Sequence, residues 1–456
     1  MLTAHRVRTS LVLAAASASV LAALLATRGT AALPGSSPPG PGVTTVDGIE
    51  LRAELETGRI LAGDHDHHLA ISITAPPERA RARPPLSVAI VIDRSGSMSG
   101  APMEHARRAA VELVDRLAPT DAFSVVAYSS SARVVVPISL ASEPHKAAAR
   151  AAIAEIFDDG GTCISCGLEQ GAAELARSPL ADGVRRIVLF SDGQANEGVW
   201  DRDELVALAA RTAARGASIS ALGVGLDFDE LTMQRIADVG RGHYYFVEDV
   251  RELGAMFQRE LGGLAATLAA DVQLAIGEPA GVRIEEAYGY PLAREHGPVV
   301  IPVADLRAGE TRKVVVRVRV TAATTGALGV APVTLTWRRV ADGKDRRAGT
   351  VVRADVVTDA ALVAASVRPT AVQAIEEALA ARALEQASVV YETQGSAAAQ
   401  RVLDQRLEAV RSNAHVGAGT RARIEAAAAE VGDSFRFAAP PKATKLSRSK
   451  AHQLAR

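Results

Sequence analysis

The stretch Leu86-Ser-Val-Ala-Ile-Val-Ile-Asp-Arg-Ser-Gly-Ser-Met98 restricts the fold more than any other part of the chain. Val88 to Ile92 is a continuous apolar run rich in β-branched residues, which fits a strand buried on both faces. It ends at Asp93, Ser95 and Ser97, oxygen-bearing side chains at alternate positions, with Gly96 and Gly100 allowing a tight turn. A helical pattern begins near Met103. Strand, oxygen-rich loop and helix in that order form one unit of an open α/β sheet, where ligands bind outside the carboxyl ends of the strands. One carboxylate and two hydroxyls supply half of a site for a hard divalent cation, which prefers oxygen ligands.

The same alternation continues to about Gly262. Residues 123–127, 133–138, 186–190, 219–224 and 243–247 read as strands. Residues 103–117, 144–157, 164–176, 201–215, 229–239 and 250–261 read as helices. The pattern predicts an α/β domain over 84–264, a doubly wound and mostly parallel sheet with helices on both faces. Short strands at 272–276, 282–287, 299–303, 312–320, 333–338 and 350–357 then predict an antiparallel β-sandwich-like domain over 268–358. Two further strands, 49–55 and 69–73, lie in the segment 44–80, ahead of the α/β domain. Isolated pairs of strands are marginal, so they are expected to pair with the later block, leaving the α/β domain as an insertion.

The Pro- and Gly-rich residues 33–43 read as an extended linker. Residues 366–432 are Ala/Leu/Glu/Arg-rich and predict a helical region. Residues 438–456 lack acids and carry several Lys and Arg, which predicts a disordered basic tail. At the other end, Arg6 and Arg8 precede an uncharged run with small residues after it, so 1–32 reads as a signal peptide. An uncleaved N-terminal membrane anchor is the alternative, since a span needs about 20 apolar residues. Either way the body is expected outside the cytosol, periplasmic or secreted. A chain of 456 residues exceeds one ordinary core. Its net charge of -1 provides no field that would recruit nucleic acid. Cys163 and Cys166 are too few for a disulfide framework or a cysteine-rich zinc module.

A cation held by Asp93, Ser95 and Ser97 alone is underliganded, because Mg2+ takes roughly six oxygens at about 2.0–2.1 Å. Two other loops can complete the set: Asp158-Asp-Gly-Gly-Thr162 presents Thr162, and Leu189-Phe-Ser-Asp192-Gly-Gln presents Asp192. With these parts in this order, the sequence resembles the von Willebrand factor type A (VWA) domain and its metal-ion-dependent adhesion site (MIDAS). The resemblance implies that Ser95 and Ser97 are direct ligands, that Thr162 lies close to the metal, and that Asp93 and Asp192 act through water. It also implies Mg2+, with Mn2+ or Ca2+ as alternatives, and an open position filled by a carboxylate from a protein partner. Few directly bound carboxylates leave the cation strongly positive, which suits recognition and not hydrolysis. The wider layout is similar to exported bacterial VWA proteins and to inter-alpha-trypsin inhibitor heavy chains. The expected function is an adhesion or scaffold protein and not an enzyme. A structural or channel-associated component of an envelope complex is the alternative.

Cys163 and Cys166 depart from the family pattern. They stand beside Thr162 at a helix start, where thiols are acidified, and in an exported protein they can form a disulfide. So short a loop contributes only about 2 kcal/mol in the chain-entropy model. Local rigidity of the Thr162 loop is therefore the favoured reading, with a redox switch on metal binding as the alternative. Asp64-His-Asp-His-His68 has a chelator's composition but is expected in a solvated turn. Asp227 and Asp229 follow a strand end, with Asp229 a helix cap, and His243 is expected to pack at the sheet margin. No Gly-x-Ser-x-Gly and no His-Glu-x-x-His is present.

Overall fold

The computed structural model describes residues 37–77, 85–181, 183–225, 228–247, 250–290, 292 and 297–455. The chain opens with strands β1 (Gly42–Val46), β2 (Ile49–Leu55), β3 (Arg59–Leu61) and β4 (Gly63–Thr74). An α/β unit follows: β5 (Leu86–Asp93), α1 (Ala101–Arg116), β6 (Ala122–Tyr128), β7 (Ala132–Leu140), α2 (Glu143–Ala154), α3 (Ile164–Ala176) and β8 (Val184–Ser191). It closes with α4 (Arg202–Ala214), β9 (Ser218–Val224), α5 (Glu230–Val239), β10 (Arg241–Val247) and α6 (Leu253–Ala265). Next come β11 (Thr267–Ile276), β12 (Val282–Ala287), β13 (Val299–Pro302), β14 (Leu306–Arg307), β15 (Thr311–Ala322), β16 (Gly326–Arg339) and β17 (Asp345–Val357). The helices α7 (Ala360–Ala364), α8 (Pro369–Gln394), α9 (Ser396–Ser412), α10 (Ala418–Phe437) and α11 (Pro440–Ala455) end the chain.

The α/β sheet has the order β10-β9-β8-β5-β6-β7 and is parallel except for β7. Its centre explains why β5 is apolar throughout. Val88, Ile90 and Ile92 enter a core with Ala106 and Leu113 of α1 and Phe257 of α6. Ala89 and Val91 enter the opposite core with Leu168 of α3, Leu205 of α4 and Ile236 of α5. Neither face of β5 meets water, so no polar alternation survives in its sequence.

Two further sheets, β1-β2-β4-β15-β12 and β13-β11-β16-β17-β3 with β14 on β11, form a sandwich. Leu51, Leu69, Ile71 and Val316 from one meet Leu274, Val333, Leu335 and Trp337 from the other in a single core. β4 pairs with β15 from Gly63↔Ala322 to Thr74↔Thr311, and β3 runs parallel to β17. Strands from both sides of the α/β unit in the sequence thus build one sandwich.

Several expectations need correction. Residues 64–68 are not a turn but the first half of β4, and β15 explains why. Arg317 and Arg319 alternate on the facing strand and pair with Asp66 at 3.1 Å and Asp64 at 2.6 Å. His67 instead contacts Glu56 at 3.1 Å and His68 contacts the Tyr288 hydroxyl at 3.0 Å. The five side chains have separate partners, His65 contacting Ala62 O at 3.2 Å, and do not converge on one point. The linker also ends earlier than Val43, since Gly42 already belongs to β1. The N-terminal segment 1–32 lies outside the described residues. No described helix is long and apolar enough to cross a membrane.

The expected disordered tail is a helix. Ala443, Ser447 and Ala451 recur every four residues, forming one small-residue stripe, and all are fully buried. The Ser447 hydroxyl donates to Leu384 O of α8 at 2.6 Å. The basic residues that resembled a solvated run meet acids of other helices, Arg448 with Glu392 at 2.9 Å and Lys450 with Glu430 at 2.7 Å. Lys445 donates to Phe228 O at 2.7 Å and stands 3.4 Å above its ring, docking α11 on the α/β unit.

That junction buries Glu230 at the start of α5. Burial pushes its carboxyl up to about 7, against the opposing pull of Lys445 and Arg448. Between about pH 4.5, its unfolded value, and pH 7 the folded chain holds a proton that the unfolded chain has released. Stability is therefore expected to fall as pH rises through that window, by at most about 3 kcal/mol. Glu230→Gln should flatten the dependence of the melting temperature between pH 5 and 8; an unchanged slope would assign it to other groups.

Candidate metal centre

The carboxyl ends of β5, β6 and β8 share one edge of the α/β sheet, and the side chains singled out in the sequence gather there. Asp93 is the last residue of β5 and is fully buried. Its Oδ1 accepts from Ser95 N at 2.9 Å, while its Oδ2 accepts from Ser191 Oγ at 2.7 Å and Tyr128 OH at 3.2 Å. Burial raises its pKa above the usual carboxylate range, and these hydrogen bonds oppose the rise. Tyr128 is pushed well above an ordinary phenol by burial and by the neighbouring Asp93 charge.

The loop after β5 turns through Gly96 N to Gly160 O, at 3.0 Å, which ties it to the loop that carries Thr162. Ser95 Oγ and Ser97 Oγ are 3.1 Å apart, and Ser97 Oγ donates to Asp192 Oδ1 at 2.7 Å. Asp93, Ser95, Thr162 and Asp192 are buried and Ser97 is exposed, so the cluster opens to solvent at Ser97. Gly193 is the point of convergence. A β-carbon there would sit 3.3 Å from Thr162 Oγ1 and 3.4 Å from Ser97 Oγ, so a side chain would crowd the cluster.

Thr162 is held by its backbone, which leaves its hydroxyl available. Its N–H donates to Asn196 Oδ1 at 2.7 Å and its carbonyl accepts from Asn196 N at 3.0 Å. Immediately beyond it, Cys163 and Cys166 form a disulfide at the start of α3, and Cys163 N donates to Ser129 O at 2.7 Å. Gly198, with φ +64°, passes so close to Cys163 Sγ that a β-carbon would collide with it. The Asp192 loop thus packs directly on the disulfide.

The donor set consists of two carboxylates and three hydroxyls, which suits a hard cation. Sulfur is excluded from it because both cysteines are bonded to each other. Among the described residues no group of three or more His, Cys, Asp and Glu converges, here or at another place. Sequence reading did not find Tyr128, Ser191 or Asn196. Ser191 sits inside the Phe190-Ser-Asp192 strand end and was the easiest to suspect, whereas Tyr128 and Asn196 carry no local motif. Asp229 caps α5 by accepting from Thr232 N at 3.1 Å and pairs with Arg202. His243 lies between Arg307 and Arg312, away from this edge, and Asp227 lies outside the described residues.

Residues 87–259 match the von Willebrand factor type A domain. The chain carries a VWA domain. Domains of this family act in protein–protein interaction and adhesion, often with a divalent cation. YfbK of Escherichia coli is 30% identical over 225 residues, covering 49% of this chain and 39% of YfbK. Human inter-alpha-trypsin inhibitor heavy chain H4 is 30% identical over 159 residues, covering 34% of this chain and 17% of that protein. The chain therefore spans well under half the length of either relative. The structure of a von Willebrand factor type A protein from Catenulispora acidiphila superposes over 91% of this chain and 97% of its own, with a TM-score of 0.66 and 19% identity. That likeness extends the fold beyond the VWA domain to the sandwich and the helices.

Proposed function

We propose that this chain is an exported, non-enzymatic binding protein whose VWA domain captures an acidic group of a protein partner through Mg2+. One observation carries the reading: oxygen atoms of Asp93, Ser95, Ser97, Thr162 and Asp192 gather at one open sheet edge with only two carboxylates among them. Ser95, Ser97 and Thr162 would hold the ion, and Asp93 and Asp192 would orient the waters around it. A Mg2+ so held supplies a centre of positive charge with affinity for an external carboxylate. The protein's own part is positional. Asp93 is pinned by its three donors, Thr162 by Asn196, and Gly193 leaves the space open. Export is supported by the character of residues 1–32 and by the disulfide. Clamping of the Thr162 loop is the role we assign to the Cys163–Cys166 bond.

Calorimetric titration of the chelator-stripped protein with Mg2+ tests this. Wild-type protein should bind Mg2+, and Thr162→Ala should weaken binding by about tenfold or more while leaving the fold intact, because the loop is held by the Thr162 backbone through Asn196. Absence of Mg2+ binding to the wild type would refute the reading. Repeating the titration after reduction of Cys163–Cys166 measures the clamp: weaker binding is expected, and equal affinity would remove that role.

A further inference from the structure

Two large aromatic side chains stand in water on the loops that build the metal centre. Phe157 is 60% exposed and Trp200 is 68% exposed. Phe157 leads into the 158–162 loop, whose Asp159 N donates to Arg94 O at 2.7 Å and whose Gly160 O accepts from Gly96. Trp200 ends the loop that begins with Asp192, one residue after Val199 N donates to Ser165 Oγ at 3.0 Å. The loops are stitched together at Thr162 by Asn196 and Glu197. Along the chain, Phe157 stands five residues before Thr162 and Trp200 eight residues after Asp192, one on each of the two loops tied together beside the cluster.

Neither ring is needed by the core. Phe157 is backed by the Arg107 guanidinium, 5.0 Å from its centroid, and otherwise faces water. Exposed Trp and Phe cost solubility and are enriched where partners are gripped. Acidic side chains punctuate the same loops. Asp159 and Glu197 are exposed and Asp158 is half-buried, and none of the three forms a salt bridge with a described residue. The basic residues nearby are already engaged or partly covered: Arg107 donates to Ile156 O and stacks on Phe157, and Arg94 is half-buried.

We propose that the partner of this site is a protein segment in which the metal-binding carboxylate is flanked by a large apolar side chain and by Lys or Arg. The apolar residue packs on Trp200 or Phe157, and the basic residue meets the Asp158, Asp159 and Glu197 carboxylates. The proposal rests on the metal-dependent reading above. It adds selectivity, because a carboxylate alone would bring no affinity from the aromatics and would be repelled by the acidic rim.

A library of short displayed peptides with Asp fixed at the centre and all other positions random provides the probe. It is panned against the immobilised full chain in Mg2+ and eluted with chelator. The expected yield is enriched in aromatic or large aliphatic residues and in Lys or Arg near the fixed Asp. For such peptides Trp200→Ala combined with Phe157→Ala should lower affinity by about tenfold or more without changing the Mg2+ titration. Glu197→Lys should reduce the share of basic residues selected. Chelator-eluted peptides with no apolar or basic bias, or with affinity unchanged in the double variant, would overturn this inference and leave the metal reading standing. No chelator-sensitive peptides at all would overturn both.

Discussion

Arg186→Ala is expected to destabilise the protein by about 3–5 kcal/mol, the range for breaking a buried charge network from one side. Arg186 is the third residue of β8, towards the opposite end of the strand from Asp192, and is fully buried. Its Nη2 donates to Asp305 Oδ2 at 2.9 Å and its Nη1 to Ser220 Oγ at 3.1 Å, with Glu260 Oε1 3.7 Å from Nε. Glu260 also accepts from Tyr245 OH at 2.7 Å and from Arg307 at 2.9 Å. Asp305 and Arg307 belong to the sandwich region, and Glu260 and Ser220 to the VWA domain, so Arg186 and Arg307 both bridge the two. Burial pushes Glu260 up, yet Arg186 and Arg307 more than offset this and hold it below the usual range. Asp305 remains raised by burial despite Arg186.

Removing Arg186 takes away the cation facing the buried Asp305 and leaves Glu260 with Arg307, so protonation of Asp305 becomes the cheapest relief. The variant's folded state then binds protons that its unfolded state does not, so its stability falls as pH rises. Urea midpoints should differ most between wild type and variant at pH 7.5 and converge towards pH 5. A loss that is small, or independent of pH, would show that the network is not what joins the domains.

The oxygen-rich loop at 93–97 was legible in the sequence because its oxygens sit two residues apart and follow an apolar, β-branched run that fits a buried central strand. Thr162 and Asp192 were legible for a similar reason, each lying at a strand or helix boundary in a Gly-rich loop. Pairing of the early strands with the late block followed from the weakness of strands left alone, and β4 with β15 supplies that partner. Legibility failed where a residue's role depends on another far along the chain. The 64–68 segment read as a solvated turn because Arg317 and Arg319, which pair with its acids, are about 250 residues away. The C-terminal segment looked like a solvated run because its partners Glu392 and Glu430 lie on other helices. Its spacing of 443, 447 and 451 was the missed signal. Nothing local marks Arg186, which precedes the apolar run 187–190, and only the sandwich reveals Asp305 beside it.

The remaining large effect separates charge from geometry at Asp93. Asp93→Ala removes an acceptor from Ser95 N, Ser191 Oγ and Tyr128 OH in a place closed to water, so it should cost about 1–3 kcal/mol of stability as well as metal binding. Asp93→Asn keeps one carbonyl oxygen for Ser95 N, and its amide can donate to the Ser191 or Tyr128 hydroxyl, which can turn to accept. Its metal-free fold should therefore be nearly as stable as the wild type. If the negative charge is what holds water and Mg2+ together, the Asn variant should still bind Mg2+ about 10–100-fold more weakly. Calorimetric Mg2+ titrations and urea midpoints on both variants give the two quantities separately. Full Mg2+ affinity in Asp93→Asn would mean that Asp93 serves only to brace the loop, and that Asp192 with the hydroxyls suffices to hold the cation. In wild-type protein the raised pKa of Asp93 adds a matching dependence: metal and proton compete for the same carboxylate, so affinity should fall as the medium is acidified, and Asp93→Asn should lose that component.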